Sequence, residues 1–81
     1  MKGIEKVQNV FREVFDDSEL KIFPEMTADD VEEWDSFNHI TLMITLEEVF
    51  NLSFTTEEIA EMANVGDLIK VLQRKGIDIS W

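Results

Sequence analysis

Asp35, Ser36 and His39 carry side chains suited to nucleophilic or acid–base chemistry and lie close together in the sequence. Ser36 and His39 are three positions apart, so their side chains would be neighbours on a helix. A serine and a histidine with a nearby aspartate is the arrangement of serine hydrolases. However, the sequence has no glycine-rich nucleophile elbow and no oxyanion-hole motif, and a chain of this length has little room for a pocket. We therefore expect no catalysis, and expect His39 to close the top of the core against the preceding loop.

An acidic cluster offers a second kind of chemistry, the binding of a divalent cation. Its members are Asp29, Asp30, Glu32, Glu33 and Asp35. The cluster lacks the alternating acidic ligands and the central glycine of a calcium-binding EF-hand loop. A calcium-responsive module is therefore a minor alternative, and we predict weak, adventitious cation binding with no dedicated metal site.

Helical periodicity dominates the chain. It predicts a first helix from about Gly3 to Phe15, which residues 16–18 end. Residues 17–34 form a long connection, in which Pro24 disfavours helix and residues 27–31 are expected to form a short helical turn. Apolar residues are expected to pack this connection against the helices: Leu20, Ile22, Phe23, Met26, Val31 and Trp34.

Capping signals set the limits of three further helices. Asp35 or Ser36 is a natural N-cap for a second helix that runs to residue 50 or 51. Thr55 and Glu58 have the spacing of a capping box, which opens a short third helix ending near residue 63. A fourth helix begins at residue 64 or 65 and stops at Gly76, a suitable C′ residue. The sequence thus predicts an all-α fold: one domain over residues 1–81, forming a small four-helix bundle with three longer helices and one short one.

The second helix carries two apolar stripes. One has the width of a core face and consists of Leu42, Met43, Leu46, Val49 and Phe50. The other consists of Phe37, Ile40 and Ile44, with Glu47 and Glu48 on its flanks. A core helix needs only the first stripe. The second stripe indicates a docking surface for a partner with apolar contacts and basic residues, unless the long loop covers it.

The charge distribution supports an acidic docking surface. Eighteen acidic residues and seven basic ones give a net charge of −11, and no lysine or arginine lies between Ile22 and Ile69. Such a surface repels nucleic acid and anionic lipid and attracts basic protein patches, although solubility alone would also explain it. The absence of cysteine excludes disulfides, and no apolar run is long enough for membrane insertion. We expect a cytoplasmic, monomeric protein without a signal peptide.

Ser36 lies at the start of the second helix, at the seam between the two stripes. A helix amino terminus favours a bound phosphate. By position alone, however, the plainer interpretation is a serine that caps the helix.

Motifs over nearly the whole chain extend this interpretation. They are Asp35-Ser36-Phe37, then Ile40, Leu42 and Leu46-Glu47-Glu48-Val49-Phe50, and finally Val65-Gly66-Asp67-Leu68-Ile69. In these motifs, and in its length and acidity, the sequence resembles the acyl carrier protein family.

This resemblance implies a carrier rather than an enzyme. In the family, a phosphopantetheinyl transferase joins the phosphopantetheine of coenzyme A to the serine that matches Ser36. The thiol of that arm, which needs no cysteine in the chain, then holds acyl groups as thioesters for acyl-loading and acyl-processing enzymes of fatty-acid, polyketide or other acyl pathways. The motif and partner-recognition positions of the family correspond to Asp35, Phe37, Ile40, Ile44, Glu47 and Glu48.

The resemblance also implies an acyl cleft between the second and third helices. Its candidate lining residues are Leu46, Phe54, Ile59 and Met62, for which plain core packing is the alternative. The bulk of Phe54 predicts a preference for short or polar acyl groups.

Several positions depart from the family pattern: Trp34, Phe37, Asn38, His39 and Thr41. They favour a specialised discrete carrier over the general fatty-acid carrier. The remaining alternative is an acidic helical interaction module without a prosthetic group, in which Ser36 is only a cap.

Overall fold

A computed structural model describes residues 3–81 and contains four α-helices and no strand within that range. The helices are α1 (Gly3–Val14), α2 (Ser36–Phe50), α3 (Thr56–Glu61) and α4 (Val65–Arg74). The all-α prediction, with three longer helices and one short one, is confirmed. No helix within residues 3–81 is long and apolar enough to cross a membrane.

The core lies where the apolar faces of α1, α2 and α4 meet. Its fully buried side chains include Val7, Phe11, Leu42, Leu46, Val65 and Leu72. Phe15, predicted as the last residue of α1, lies one position beyond the helix, although its N–H still donates to the Phe11 carbonyl at 3.0 Å. Asp16 then takes a positive φ of 52°, which turns the chain out of the helix.

The connection between α1 and α2 is a packed loop whose backbone is fastened to α1. The Arg12 guanidinium donates to the Leu20 carbonyl at 2.7 Å. The Ile22 N–H donates to Oε1 of Gln8 at 3.1 Å. The prediction that apolar residues pin this loop holds for its buried members, but it is wrong for Phe23, which is exposed. An irregular loop has no periodicity that would show which of its apolar side chains point inward.

The middle of the loop is fastened to the start of α4. The Val65 N–H donates to the Met26 carbonyl, and the Gly66 N–H donates to the Pro24 carbonyl, both at 2.9 Å. A Cβ atom at Gly66 would lie 2.9 Å from the Pro24 oxygen, so glycine permits this close approach. The predicted helical turn at residues 27–31 is a single hydrogen-bonded turn, in which the Asp30 N–H donates to the Thr27 carbonyl.

The core face of α2 is confirmed except at its carboxyl-terminal end. Leu42, Met43 and Leu46 are buried, and Phe50 is half-buried against the core. Val49, predicted as a core residue, is 44% exposed. Helical periodicity gives the direction of a side chain around the axis, but it does not show whether a neighbouring element extends far enough to cover the last turn.

The two carboxyl-terminal helices have the predicted caps. Thr55 and Glu58 form a full capping box at α3, with bonds of 3.1 and 2.8 Å. After α4, the N–H groups of Gly76 and Ile77 donate to the carbonyls of Gln73 and Leu72. This is the Schellman arrangement, and Gly76 supplies its positive φ of 92°.

None of the six residues of α3 is fully buried, but Ile59 is half-buried against the core, and side-chain contacts near the ends of α3 add to this attachment. Near its first turn, the Lys75 ammonium lies 2.8 Å from the Glu58 carboxylate. This side-chain hydrogen bond, followed by the one from the Thr55 backbone, lowers the pKa of Glu58, while partial desolvation opposes the shift. The same ammonium lies 5.7 Å from the centre of the Phe54 ring.

Candidate functional site

Ser36 is the first residue of α2, and Asp35 is the N-cap. Asp35 has an extended backbone, and its carboxylate accepts a hydrogen bond from the Asn38 N–H at 2.8 Å. This settles the choice between the two predicted caps in favour of Asp35. The interpretation of Ser36 as a capping serine is therefore wrong, and its exposed side chain is not needed to begin the helix.

The amino terminus of α2 is a favourable position for a negatively charged ester. The first turn of α2 contains no acidic residue. The amides of a helix's first turn have no intrahelical partners, and the positive end of the helix dipole lies there. The Asp35 carboxylate repels an anion, but it is already engaged with the Asn38 amide. Ser36 therefore fits a phosphodiester linkage in exposure and in local electrostatics.

An open groove of about 600 Å³ begins beside Ser36 and runs between α2 and the α3 region. Its volume lies within the range of small-ligand sites. Its lining residues are mainly apolar: Ala28, Trp34, Asp35, Ser36, His39, Ile40, Ile59, Ala60, Met62 and Ala63. Two of the four residues predicted for the cleft, Ile59 and Met62, line it. Leu46 and Phe54 do not, because both are buried elsewhere, so the size limit inferred from Phe54 has no support in this geometry.

Trp34 and His39 form a polar connection along this groove. The Trp34 indole Nε1–H donates to Nδ1 of His39 at 3.0 Å. The two rings are 23° from parallel with centroids 6.1 Å apart, as an in-plane bond between ring edges requires. Nε2 of His39 lies 3.4 Å from the carbonyl oxygen of Ile59 in α3. The prediction that His39 packs against the first loop is confirmed, whereas the bond to α3 was not foreseen.

These contacts remove the basis for a catalytic triad of Asp35, Ser36 and His39. Both ring nitrogens of His39 are engaged, one by Trp34 and the other by Ile59. The Asp35 carboxylate is engaged by the Asn38 amide. Neither group is in position to activate the Ser36 hydroxyl, so the three residues do not form a catalytic triad.

The second apolar stripe of α2 is exposed. Phe37 is 78% exposed, Ile40 48% and Ile44 50%. The alternative that the long loop covers these side chains is therefore wrong. Ile40 belongs to the stripe and also lines the groove, so the two surfaces meet next to Ser36.

The two carboxylates predicted to flank this stripe differ in environment. Glu48 is exposed. Glu47 is half-buried, and its Oε2 accepts a hydrogen bond from the Phe54 N–H at 2.7 Å. Glu47 therefore fixes the loop between α2 and α3, a role that its spacing in the sequence did not reveal. Residues 36–46 contain no aspartate, glutamate, lysine or arginine, so the carboxylates of α2 are confined to its carboxyl-terminal part.

The acidic cluster of the long loop does not form a ligand set. Within residues 3–81, no three acidic or histidine side chains converge on a common point. The Asp30 carboxylate instead accepts a hydrogen bond from the Thr27 N–H at 3.0 Å. The calcium hypothesis therefore has no geometric support from these residues.

Two of the solved structures similar to this chain are a holo acyl carrier protein and a putative acyl carrier protein. The NMR structure of a holo acyl carrier protein from Geobacter metallireducens has 33% sequence identity and a TM-score of 0.84, over 93% of this chain and 86% of that chain. A putative acyl carrier protein from Mycobacterium tuberculosis has a TM-score of 0.78 over 88% of this chain and 95% of that chain, and its 17% identity supports the fold alone. No family model matches the chain, and no curated protein sequence is similar to it.

Proposed function

This chain belongs to the acyl carrier protein family, and from that membership we propose that Ser36 is the attachment point of a phosphopantetheine arm derived from coenzyme A. The observation that carries the proposal is the exposed Ser36 side chain at the first position of α2. Because Asp35 caps the helix, the Ser36 side chain is not needed to stabilise the start of α2. Its hydroxyl is accessible to a phosphopantetheinyl transferase.

The residues beside Ser36 fit such an arm. The amino terminus of α2 favours the phosphate, and the groove beside it offers a mainly apolar surface. When bound, the group would supply a thiol that holds acyl intermediates as thioesters. The chain itself would hold this arm in place and present it to successive enzymes at a high effective concentration.

The exposed stripe of Phe37, Ile40 and Ile44 is the proposed docking surface for the transferase and for acyl-loading and acyl-processing enzymes. An enzyme that acts at Ser36 has to cover Phe37, the next residue, whose burial supplies favourable free energy. The uncharged first turns of α2 indicate that apolar contacts dominate there. Glu48 would meet basic residues of the partner near the other end of the helix, where electrostatic attraction accelerates association. The uncharged Asn38 and Thr41 in the first turns of α2 favour a carrier dedicated to a specialised acyl pathway.

Intact-protein mass spectrometry tests the attachment. Incubation with coenzyme A and a broad-specificity phosphopantetheinyl transferase is expected to add the mass of one phosphopantetheine. Ser36→Ala should abolish the addition, whereas Ser53→Ala, which removes another exposed serine, should leave it unchanged. Protein isolated from its native host would identify the acyl group by the same measurement.

Two outcomes would contradict this proposal. One is a wild-type chain that stays unmodified by several broad-specificity transferases, which would leave the acidic interaction module as the better description. The other is a Ser36→Ala variant that still gains the mass of the arm. Because Asp35 is the cap, Ser36→Ala should change stability by only a few tenths of a kcal/mol, so lost modification would not reflect unfolding.

A further inference from the structure

The carboxyl-terminal half of α3 is held to α2 by one side-chain hydrogen bond within residues 3–81, from His39 to Ile59. The last carbonyls of a helix have no intrahelical donor. Ile59 is in this position, because α3 ends at Glu61 and Met62 is already extended. The His39 ring therefore satisfies a carbonyl that the short helix leaves open.

The direction of this bond follows from the indole of Trp34. An indole N–H can only donate, so Nδ1 of His39 must be the acceptor in the bond of 3.0 Å. In a neutral imidazole the ring proton then lies on Nε2, which faces the Ile59 carbonyl at 3.4 Å. Trp34 thus fixes the tautomer in which His39 donates to α3.

The orientation of Trp34 is itself fixed by α1. Its ring contacts the Phe11 ring edge to face at 5.6 Å between centroids. The centroid of the Phe15 ring is 5.8 Å away. Trp34 is nearly fully buried among these rings, so it is a positioning residue for His39.

The bonded pair joins the two walls of the groove. His39 of α2 and Ile59 of α3 both line the groove that begins at Ser36. The buried side chains of Leu46 and Phe54 lie outside this groove. An acyl chain attached at Ser36 would have to separate His39 from Ile59 to pass deeper between α2 and α3, from the groove into the core.

We propose that His39 is a specificity-determining residue, whose hydrogen bond to Ile59 keeps α2 and α3 together and confines a tethered acyl group to the surface groove. This inference rests on the proposed function, because the excluded group is the one carried at Ser36. The groove then suits short or polar acyl groups, and a long alkyl chain gains no burial in the core.

Amide hydrogen exchange of the unmodified chain tests whether the hydrogen bond from His39 to Ile59 holds α3 to α2, without any prosthetic group. His39→Leu retains a side chain of comparable bulk but removes both ring nitrogens. The amides of α3 should then exchange about three to ten times faster, the effect of losing one hydrogen bond. His39→Gln, which retains an N–H donor, should exchange closer to the wild type. Equal exchange in His39→Leu and the wild type would overturn the proposal.

The sequence contains no cysteine, so a single introduced cysteine can carry a test group. The effect of His39 on a tethered acyl group can then be tested without a transferase. Ser36→Cys can be alkylated with a flexible polar arm that ends in a butyl or an octyl group. In the His39 background, the two adducts should unfold at the same temperature within about 1 °C. With His39→Leu, the octyl adduct should unfold about 5 °C or more above the butyl adduct, because the longer chain gains burial.

The two backgrounds separate the possible outcomes. If the octyl adduct is more stable than the butyl adduct when His39 is present, the alkyl chain passes the hydrogen bond from His39 to Ile59. That result would overturn the inference. Adducts of equal stability in both backgrounds would overturn it as well, since His39 would then exclude nothing. Failure of the transferase to modify Ser36 would contradict the proposed function alone, because neither test here uses that reaction.

Discussion

Glu47 and Glu48 form a matched pair for measuring how the loop between α2 and α3 is fixed. Both are glutamates in the last turns of α2, and either change to alanine reduces the net charge from −11 to −10. Helix propensity changes equally in the two variants. They differ in side-chain burial and in the bond of 2.7 Å from the Phe54 N–H to Glu47. The difference in stability between Glu47→Ala and Glu48→Ala therefore measures that bond together with the partial burial of the Glu47 side chain.

The expected size of this difference follows from the environment of the bond. A hydrogen bond to a charged group contributes about 1.5–3 kcal/mol, and a half-buried carboxylate belongs in the lower part of that range. Water can replace part of the lost partner at Phe54, so we expect Glu47→Ala to be about 1–2 kcal/mol less stable than Glu48→Ala. In a domain of this size, the unfolding temperature should differ by about 5–15 °C.

Thermal unfolding followed by circular dichroism measures the difference directly. Glu48→Ala should remain within about 0.5 kcal/mol of the wild type, as expected for an exposed side chain without partners of its own. Equal unfolding temperatures for the two variants would refute the structural role of Glu47. In that case both carboxylates would be free surface charges, as the sequence alone suggested.

Two further predictions concern charge and docking. The lowered pKa of Glu58 means that its contribution to stability is complete at pH values above its ordinary value of 4.5 and is lost as the pH falls through the folded-state pKa. Urea unfolding at neutral pH and at about pH 3 should therefore show a smaller loss for Glu58→Gln than for the wild type, and an equal loss would contradict the role of the Lys75 contact. Phe37→Ala should reduce kcat/KM of phosphopantetheinylation about tenfold or more through lost burial, while Val49→Ala, at the far end of α2, should stay within about twofold. Similar losses in both variants would show that docking does not centre on Phe37.

The order and limits of the helices were predictable because their signals are local. The capping box of Thr55 and Glu58 and the C′ glycine at position 76 each involve residues within one turn. The exposed stripe of Phe37, Ile40 and Ile44 was also predictable, since helical periodicity separated it from the core face. Val49 was misplaced because its exposure depends on how far neighbouring elements extend along α2.

The functional surroundings of Ser36 were less predictable because they depend on contacts between elements. The bond from Trp34 to His39 crosses the start of a helix, where no periodic pattern relates the two positions. The bond from His39 to Ile59 joins residues twenty positions apart. Glu47 looked like a partner-recognition residue because its spacing matched the exposed stripe, and only the fold shows that its carboxylate meets the Phe54 amide.

Two polar bonds from α2, near its opposite ends, hold the α3 segment beside it. His39 in the first turns reaches Ile59, and Glu47 near the last turn reaches Phe54. α3 has no fully buried residue, although Ile59 packs against the core, so these bonds and the contact of Lys75 with Glu58 add to its limited apolar packing. The side of α2 that holds α3 is thereby occupied, while the exposed stripe beside it remains available to a partner. The same helix can therefore present Ser36 for modification, line the groove that receives the tethered group, and offer a docking surface, because these tasks use adjoining parts of its circumference that meet at Ile40.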